Sequence, residues 1–154
     1  MTASARKVRV AVVQAASVMF DREATVEKAV GLIAEAAAGG ARLVVFPEAL
    51  VPAYPRGLSF GSIVGNRSDE GRRIYARYLN NAVVIPSPAT DRLGQAAREA
   101  GVWLAIGVIE REPAGGTLYC TLLYFGPDGA ILGKHRKLKP TASERLIWGE
   151  GDGS

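Results

Sequence analysis

The sequence of 154 residues is poor in the side chains that build metal or disulfide sites. It contains one cysteine, Cys120, and one histidine, His135. A single cysteine cannot form an internal disulfide, and one cysteine with one histidine cannot supply the ligands of a structural zinc site. We therefore expect no structural metal.

Long apolar runs and a strong charge bias are missing as well. No stretch approaches the ~20 apolar residues of a membrane-spanning helix. The segment from Met1 to Lys7 is polar and basic, with no apolar signal core behind it. These absences predict a cytoplasmic protein with no membrane partner. The net charge of +4, from 19 basic and 15 acidic residues, is too small an excess to indicate nucleic acid binding.

What is present is typical of a soluble globular protein. Hydrophobic residues make up 48% and charged residues 22% of the chain, and the length suits one ordinary domain. There is no internal repeat and no linker. We expect a disordered N-terminus over residues 1–7 and a single α/β domain over residues 8–154.

The first half of the domain has a strand, helix, strand pattern. Val8 to Gln14 is predicted to be a mostly buried strand, and Leu43 to Phe46 a strand buried on both faces. Between them, apolar residues recur at helical spacing after the capping residue Asp21, and Gly39-Gly40 ends the helix. Such a unit predicts two parallel strands joined by a crossover helix.

Two helices, a strand and a hairpin follow an irregular segment, residues 51–66, whose apolar bulk indicates that it covers a site. Gly107 in the strand predicts a bulge or a close backbone approach. The Pro and Gly of the turn at 126–129 predict an antiparallel hairpin. The predicted elements are a helix from Ser68 or Asp69 to Asn80, a helix from Thr90 or Asp91 to Gly101, and strands at Val102–Ile109, Thr117–Phe125 and Ala130–Arg136.

Glu48 is the first candidate for chemistry. It follows the strand that ends at Phe46-Pro47, and ligands of open α/β sheets bind at the carboxyl ends of strands. A solvated loop glutamate is the alternative.

The basic run Lys134 to Lys139 is the second candidate. A solvated strand edge is the usual meaning of such a run. Strand alternation divides it, however, because Lys137 and His135 then point away from Arg136 and Leu138. Lys137 can therefore face an interior in which a nearby carboxylate matters to its charge.

Two weaker signals favour ordinary structure. The glycines at 149, 151 and 153 resemble a phosphate loop only superficially, because no strand precedes them and no helix follows. Arginines and tyrosines interleave over residues 71–78, but Ile74 and Tyr78 form an apolar stripe typical of a surface helix. We expect no nucleic acid partner.

Four segments together resemble the nitrilase branch of the carbon-nitrogen hydrolase superfamily. The resemblance extends over nearly the whole chain, from Val8 onward. It implies an α-β-β-α sandwich of the nitrilase type, present here as its N-terminal half, so that the domain of residues 8–154 is incomplete at its C-terminus. The segments are Phe46–Ala49, Pro52–Gly57, His135–Thr141 and Glu144–Ser154.

The resemblance assigns roles from the family's Glu, Lys, Cys catalytic set. Glu48 matches the general base, Lys137 the lysine that stabilises negative charge, and Glu144 a second glutamate beside them. The resemblance also places the loop of residues 51–66 near substrate, which implies that Tyr54 is a wall of the substrate pocket. The implied reaction needs no cofactor and converts a nitrile to a carboxylic acid and ammonia in a homo-oligomeric enzyme. An amide hydrolase and a non-catalytic binding or assembly subunit are the alternatives.

The nucleophilic cysteine of that family lies downstream of the glycine-rich stretch at which this sequence ends. Cys120 precedes the lysine motif, and it shares a strand face with Leu118 and Leu122, which indicates a buried, inert thiol. We therefore expect this chain alone to be inactive.

Overall fold

A computed structural model describes residues 7–153. The disorder predicted for residues 1–7 lies, except at Lys7, outside the described residues. The strands are β1 (Val10–Val12), β2 (Leu43–Val45), β3 (Trp103–Arg111), β4 (Leu118–Phe125) and β5 (Ile131–Arg136), and the helices are α1 (Arg22–Ala38), α2 (Asp69–Asn81), α3 (Pro88–Ala100) and a short 3-10 helix (Ala142–Leu146).

The five strands form one mixed sheet in the order β1-β2-β3-β4-β5. β1, β2 and β3 are parallel to one another, and β4 and β5 complete the sheet as an antiparallel hairpin. The parallel pairing of β1 and β2 across α1 confirms the predicted crossover. The α/β class is likewise confirmed.

Helix termini follow the local sequence closely, with one correction. The Asp21 carboxylate accepts a hydrogen bond from the Ala24 N–H at 2.9 Å, so Asp21 caps α1 as predicted. The prediction that Thr90 or Asp91 starts α3 is wrong, because the helix begins at Pro88. Proline suits the first helical position, and the Thr90 hydroxyl accepts a hydrogen bond from the Ser87 N–H at 2.8 Å.

The two faces of the sheet have different surroundings. The first face, which carries Val44, Leu104 and Ile106, packs with α1 and α3 in the larger core cluster. The second face carries Ile109 and Cys120, which belong to a smaller cluster with Tyr78 of α2 and Trp148. The smaller cluster covers the second face near the end of β3 and the start of β4.

The rest of the second face is open. Val10 is 46%, Val12 74% and Trp103 48% exposed. In β2, Leu43 and Val45 are only half-buried. The predictions that the first strand is mostly buried and that β2 is buried on both faces are therefore wrong. The valine pattern reports strand propensity correctly, but burial on the second face depends on a layer that residues 7–153 do not supply there.

We expect this open face to bind apolar probes and to promote association. The free energy of hiding it from water is about 25 cal/mol per Å², and β1 is an edge strand that can pair with another chain. The 154-residue chain should bind the dye ANS and self-associate at tens of micromolar, as measured by fluorescence and sedimentation. Changing Val10, Val12 and Trp103 together to threonine, which keeps strand propensity, should reduce both effects. The fully exposed loop residue Val64 provides the control Val64→Thr. Equal dye binding by the parent and triple variant would contradict this expectation.

No helix within residues 7–153 has the length and apolarity to cross a membrane. In the same part of the chain, no group of three or more His, Cys, Asp or Glu residues is arranged to hold a metal ion.

Candidate active site

Glu48 lies in an outward loop between two points at which the chain pairs with β3. The Phe46 N–H donates to the Ala105 carbonyl at 2.8 Å, and the chain returns where the Val51 N–H donates to the Gly107 carbonyl at 3.2 Å. The residues between them leave the ladder, and Ala49 has a positive φ of 53°. The strand therefore ends in a tight turn that projects Glu48 at its carboxyl end.

Gly107 makes this turn possible. A Cβ atom at position 107 would lie 2.3 Å from the Pro47 carbonyl oxygen and 2.7 Å from the Glu48 Cα atom. The backbone carrying Glu48 thus rests directly on β3, which confirms the close approach predicted for this glycine.

Lys137 follows directly after β5, where its N–H donates to the Cys120 carbonyl at 2.7 Å. A register shift precedes it, because Phe125 pairs with Ile131 whereas Tyr124 pairs with Gly133, which leaves Leu132 as an extra residue. The shift places Lys137 opposite Cys120 on the second face.

Glu144 is held by the short 3-10 helix. The Thr141 N–H donates to Glu144 Oε2 at 2.6 Å, and the Tyr54 hydroxyl donates to Glu144 Oε1 at 2.8 Å. Tyr54 comes from the 51–66 segment, 90 positions before Glu144. The segment that the sequence predicts to cover a site therefore contacts one of the candidate residues.

The Lys137 ammonium joins the two glutamates. Its Nζ atom lies 2.9 Å from Glu48 Oε1 and 2.9 Å from Glu144 Oε2. Burial disfavours the charged lysine, but hydrogen bonds to Glu144 and Glu48 outweigh burial and raise the pKa of Lys137 well above its usual range. The structure thus decides a balance that sequence alone leaves open.

The partners of Lys137 respond in the complementary direction. Burial alone would raise the pKa of Glu144, but hydrogen bonds from Thr141, Lys137 and Tyr54 lower it. The hydrogen bond to Glu144 raises the pKa of the Tyr54 phenol. At neutral pH the centre therefore contains an ammonium, ionised Glu144 and a neutral phenol.

Cys120 also belongs to this centre, which the sequence does not reveal. The residue is 4% exposed, and its thiol donates to Glu48 Oε1 at 3.4 Å. Burial, with the neighbouring Glu48 carboxylate as a second cause, raises the pKa of the thiol to about 12. A thiol in this state carries almost no thiolate at neutral pH.

The opposite face of β5 carries a separate charge cluster around Glu110, which is 2% exposed. Arg136 Nη2 lies 2.6 Å from Glu110 Oε1, Lys134 contacts the same oxygen, and the Thr121 hydroxyl donates to Glu110 Oε2 at 2.8 Å. Burial opposes the charge of Glu110, but Arg136, Lys134 and Thr121 together lower the pKa of its carboxyl to about 2. Alternation in β5 thus directs Lys134 and Arg136 to Glu110 while Lys137 faces Glu48.

All four residues predicted from the sequence lie in one chain of contacts, which runs from Glu48 through Lys137 and Glu144 to Tyr54. Counting residues back from the hairpin turn would predict that Cys120 lies opposite Lys137 only if the extra residue in β5 were already known. An open, mostly apolar cavity of about 430 Å³ borders the centre, and its lining includes Glu48, Cys120, Leu122, His135 and Lys137.

Comparison with known protein families gives one match that extends over residues 9–154, to the family described as carbon-nitrogen hydrolase. The match includes every residue of the centre.

Curated relatives are similar over nearly the whole chain. An aliphatic nitrilase of Sinorhizobium fredii is 58% identical over 96% of this chain, and a bifunctional nitrilase/nitrile hydratase of Lupinus angustifolius is 52% identical over 98%. Those alignments include 47% and 43% of the relatives. The chain therefore spans about half the length of the curated relatives it matches.

Solved structures share the fold. Nit3 of Saccharomyces cerevisiae, a member of branch 10 of the nitrilase superfamily, superposes with a TM-score of 0.75 at 24% identity, over 98% of this chain and 53% of Nit3. An amidase from Nesterenkonia sp. superposes with a TM-score of 0.68 at 19% identity, over 94% of this chain and 48% of the amidase. At these identities the similarity concerns the fold.

Proposed function

Because the chain belongs to the nitrilase branch of the carbon-nitrogen hydrolase family, we propose that it supplies the Glu and Lys part of a nitrilase active site. The substrate is a small nitrile, which is hydrolysed to a carboxylic acid and ammonia through a covalent thioimidate. The observation that carries the proposal is the position of Lys137 Nζ, 2.9 Å from both Glu48 and Glu144.

The proposed roles follow from the charges of the three residues. Glu48, the more exposed carboxylate of the pair, is the general base that takes the proton of the attacking thiol and later activates water. Lys137, whose raised pKa keeps it cationic, stabilises negative charge that develops on the substrate. Glu144 orients Lys137, and Tyr54, which lines a neighbouring cavity together with Glu144, is proposed as a wall of the substrate pocket.

The nucleophile is proposed to lie beyond residue 154. Nitrile hydrolysis of this type needs a thiolate that attacks carbon, and Cys120 is the single cysteine of the sequence. Although its thiol contacts Glu48, burial and a pKa of about 12 oppose thiolate formation. The relatives, which are about twice as long as this chain, have room for a further catalytic residue.

We predict that the purified 154-residue chain releases no ammonia from aliphatic nitriles or amides above background, because charge placement does not replace the covalent step. Ammonia release by the parent is compared with that by Cys120→Ala and Glu48→Gln. Turnover that disappears in Cys120→Ala would show that Cys120 is the nucleophile. Turnover that survives Cys120→Ala but not Glu48→Gln would refute the covalent mechanism.

A chimera tests the function itself. In it, this chain replaces the aligned segment of the Sinorhizobium fredii aliphatic nitrilase, to which it is 58% identical. We expect the chimera to convert aliphatic nitriles to acids faster than it converts the corresponding amides. Faster hydrolysis of the amides would favour an amidase. A folded chimera without either activity would favour a binding or assembly role for the chain.

We further propose that the complete enzyme is a cytoplasmic homo-oligomer. The open apolar face, which includes Val12 and Trp103, supports the expectation that this chain is covered by other polypeptide in the complete enzyme. The domain over residues 8–154 is then one part of a larger sandwich.

A further inference from the structure

Tyr78, near the end of α2, lies beneath the candidate active site but is not part of it. Its side chain is 0% exposed. Its hydroxyl accepts a hydrogen bond from the Trp148 indole Nε1–H at 3.2 Å. Because both side chains are buried, this bond is the means by which the indole N–H avoids a desolvation cost.

Trp148 in turn contacts three residues of the centre. The Tyr54 ring packs edge-on against the Trp148 ring, with centroids 5.7 Å apart. Lys137 Nζ lies 5.9 Å from the centroid of the same ring, at the limit of a cation-π contact. The Trp148 N–H of the backbone also donates to the Glu144 carbonyl at 2.8 Å. The indole is therefore a floor under Tyr54 and Lys137.

The packing around Tyr78 is demanding. Phe20 and Phe60 contact its ring, with centroids 4.9 Å and 5.4 Å away. Both phenylalanines have positive φ angles, 55° and 52°, a conformation that bulky residues adopt only where surrounding contacts offset its cost. Tyr78 is thus held from both sides, and it presents a fixed hydroxyl to Trp148.

We propose that Tyr78 is a positioning residue for the active centre, which acts through Trp148 on Tyr54 and Lys137 and so on Glu144. The proposal rests on the function proposed above for that centre. It assigns α2, which carries none of the recognised motifs, a part in holding the catalytic lysine.

The test uses NMR of the 154-residue chain that carries threonine at positions 10, 12 and 103 to reduce self-association, and Tyr78→Phe is compared with this parent. The change removes only the hydroxyl. Without its acceptor, the Trp148 indole N–H should exchange with solvent at least about tenfold faster. The pKa of Glu144 should rise toward its ordinary value, because Tyr54 and Lys137, which lower it, are held less firmly. Backbone amides of β3 and β4 should exchange as in the parent, which separates positioning from general loss of stability.

Tyr75→Phe is the matched control. Tyr75 lies on the same helix and contacts Phe60, and among residues 7–153 no hydrogen bond of its hydroxyl is present. This variant should leave both readouts unchanged. If Tyr78→Phe does not fold, Trp148→Phe should raise the pKa of Glu144 in its place.

Either readout can overturn the proposal. If the indole exchange or the Glu144 titration is unchanged in folded Tyr78→Phe, Tyr78 does not act through Trp148 on the centre. None of these measurements requires turnover. Failure of the chimera to hydrolyse nitriles would therefore count against the proposed function and leave this coupling intact.

Discussion

Replacement of Lys137 by alanine in the active chimera should lower kcat by about 100-fold or more, the usual loss when a donor to developing charge is removed. Glu48→Gln should cause a loss of at least this size, because it removes the base. Lys137→Ala has a second consequence. The carboxylates of Glu48 and Glu144, which now share one ammonium, would face each other without the cation that lies between them in the parent.

Lys139→Ala is the matched control for the lysine variant. Lys139 belongs to the same basic run, but it is 69% exposed and pairs with Glu150 at the surface. Exposed pairs contribute little, so this variant should keep kcat near the parent value. Steady-state kinetics with an aliphatic nitrile would measure all three variants. Equal and mild losses at positions 137 and 139 would mean that the basic run is only a solvated edge.

Replacement of Glu110 by glutamine should cost the chain about 3–5 kcal/mol of folding free energy at neutral pH, as is usual when one partner of a buried ion pair is removed. The variant leaves Arg136 and Lys134 without their carboxylate on a face where Glu110 is 2% exposed. At about 2–4 °C per kcal/mol for a chain of this size, the melting temperature should fall by at least about 6 °C. A complete loss of the cooperative transition would agree with the same reasoning.

The effect should depend on pH in a defined direction. The carboxyl of Glu110 has a pKa lowered to about 2 in the folded chain, whereas an unfolded glutamate titrates near 4.3. Its stabilising contribution is therefore complete above the unfolded value and is lost as the pH falls toward 2. On the order of 3 kcal/mol of the difference between parent and Glu110→Gln should disappear between pH 5 and pH 2.

Glu70→Gln is the control for this experiment. Glu70 is 72% exposed and lies 3.7 Å from Arg73, so its removal should change the melting temperature little at any pH. Thermal melts followed by circular dichroism at pH 7, 4 and 2 would make the comparison. A difference between parent and Glu110→Gln that stays constant across this range would contradict the assigned ionisation of Glu110.

Local sequence signals predict most of the element order. The Asp21 cap, the Gly39-Gly40 stop and the Pro-Gly turn at 126–129 each act on neighbouring residues, so they can be recognised without knowledge of the tertiary structure. The exception at α3 is also local, since Pro88 opens the helix two residues before the predicted start.

Burial is less predictable, because it depends on what packs against a strand. Val44 and Val12 are both valines in neighbouring parallel strands, yet Val44 is 0% and Val12 74% exposed. The helices α1 and α3 cover the face that carries Val44. Nothing local distinguishes the two residues, because the difference lies in contacts with distant segments.

The candidate site shows the same contrast between features that local sequence predicts and features that depend on distant contacts. The residue types and their placement after β2 and β5 are visible in the sequence, so Glu48, Lys137, Glu144 and Tyr54 can be selected from it. The sequence does not contain the register of the hairpin. If Leu132 were paired with Tyr124 instead of bulged, the register set by Phe125 and Ile131 would continue, and Lys137 would face the side of Glu110 instead of that of Glu48.

The sequence by itself therefore determined the order of strands and helices, the crossover of β1 and β2, and the residues able to do chemistry. Only the tertiary structure decided that Lys137 lies between two glutamates, that Cys120 is a buried neighbour of Glu48, and that Tyr78 anchors Trp148. The physical reason is the distance along the chain over which each effect acts. Propensity and capping act over a few residues, whereas the face, register and charge state of a side chain depend on partners 7 to 90 positions away.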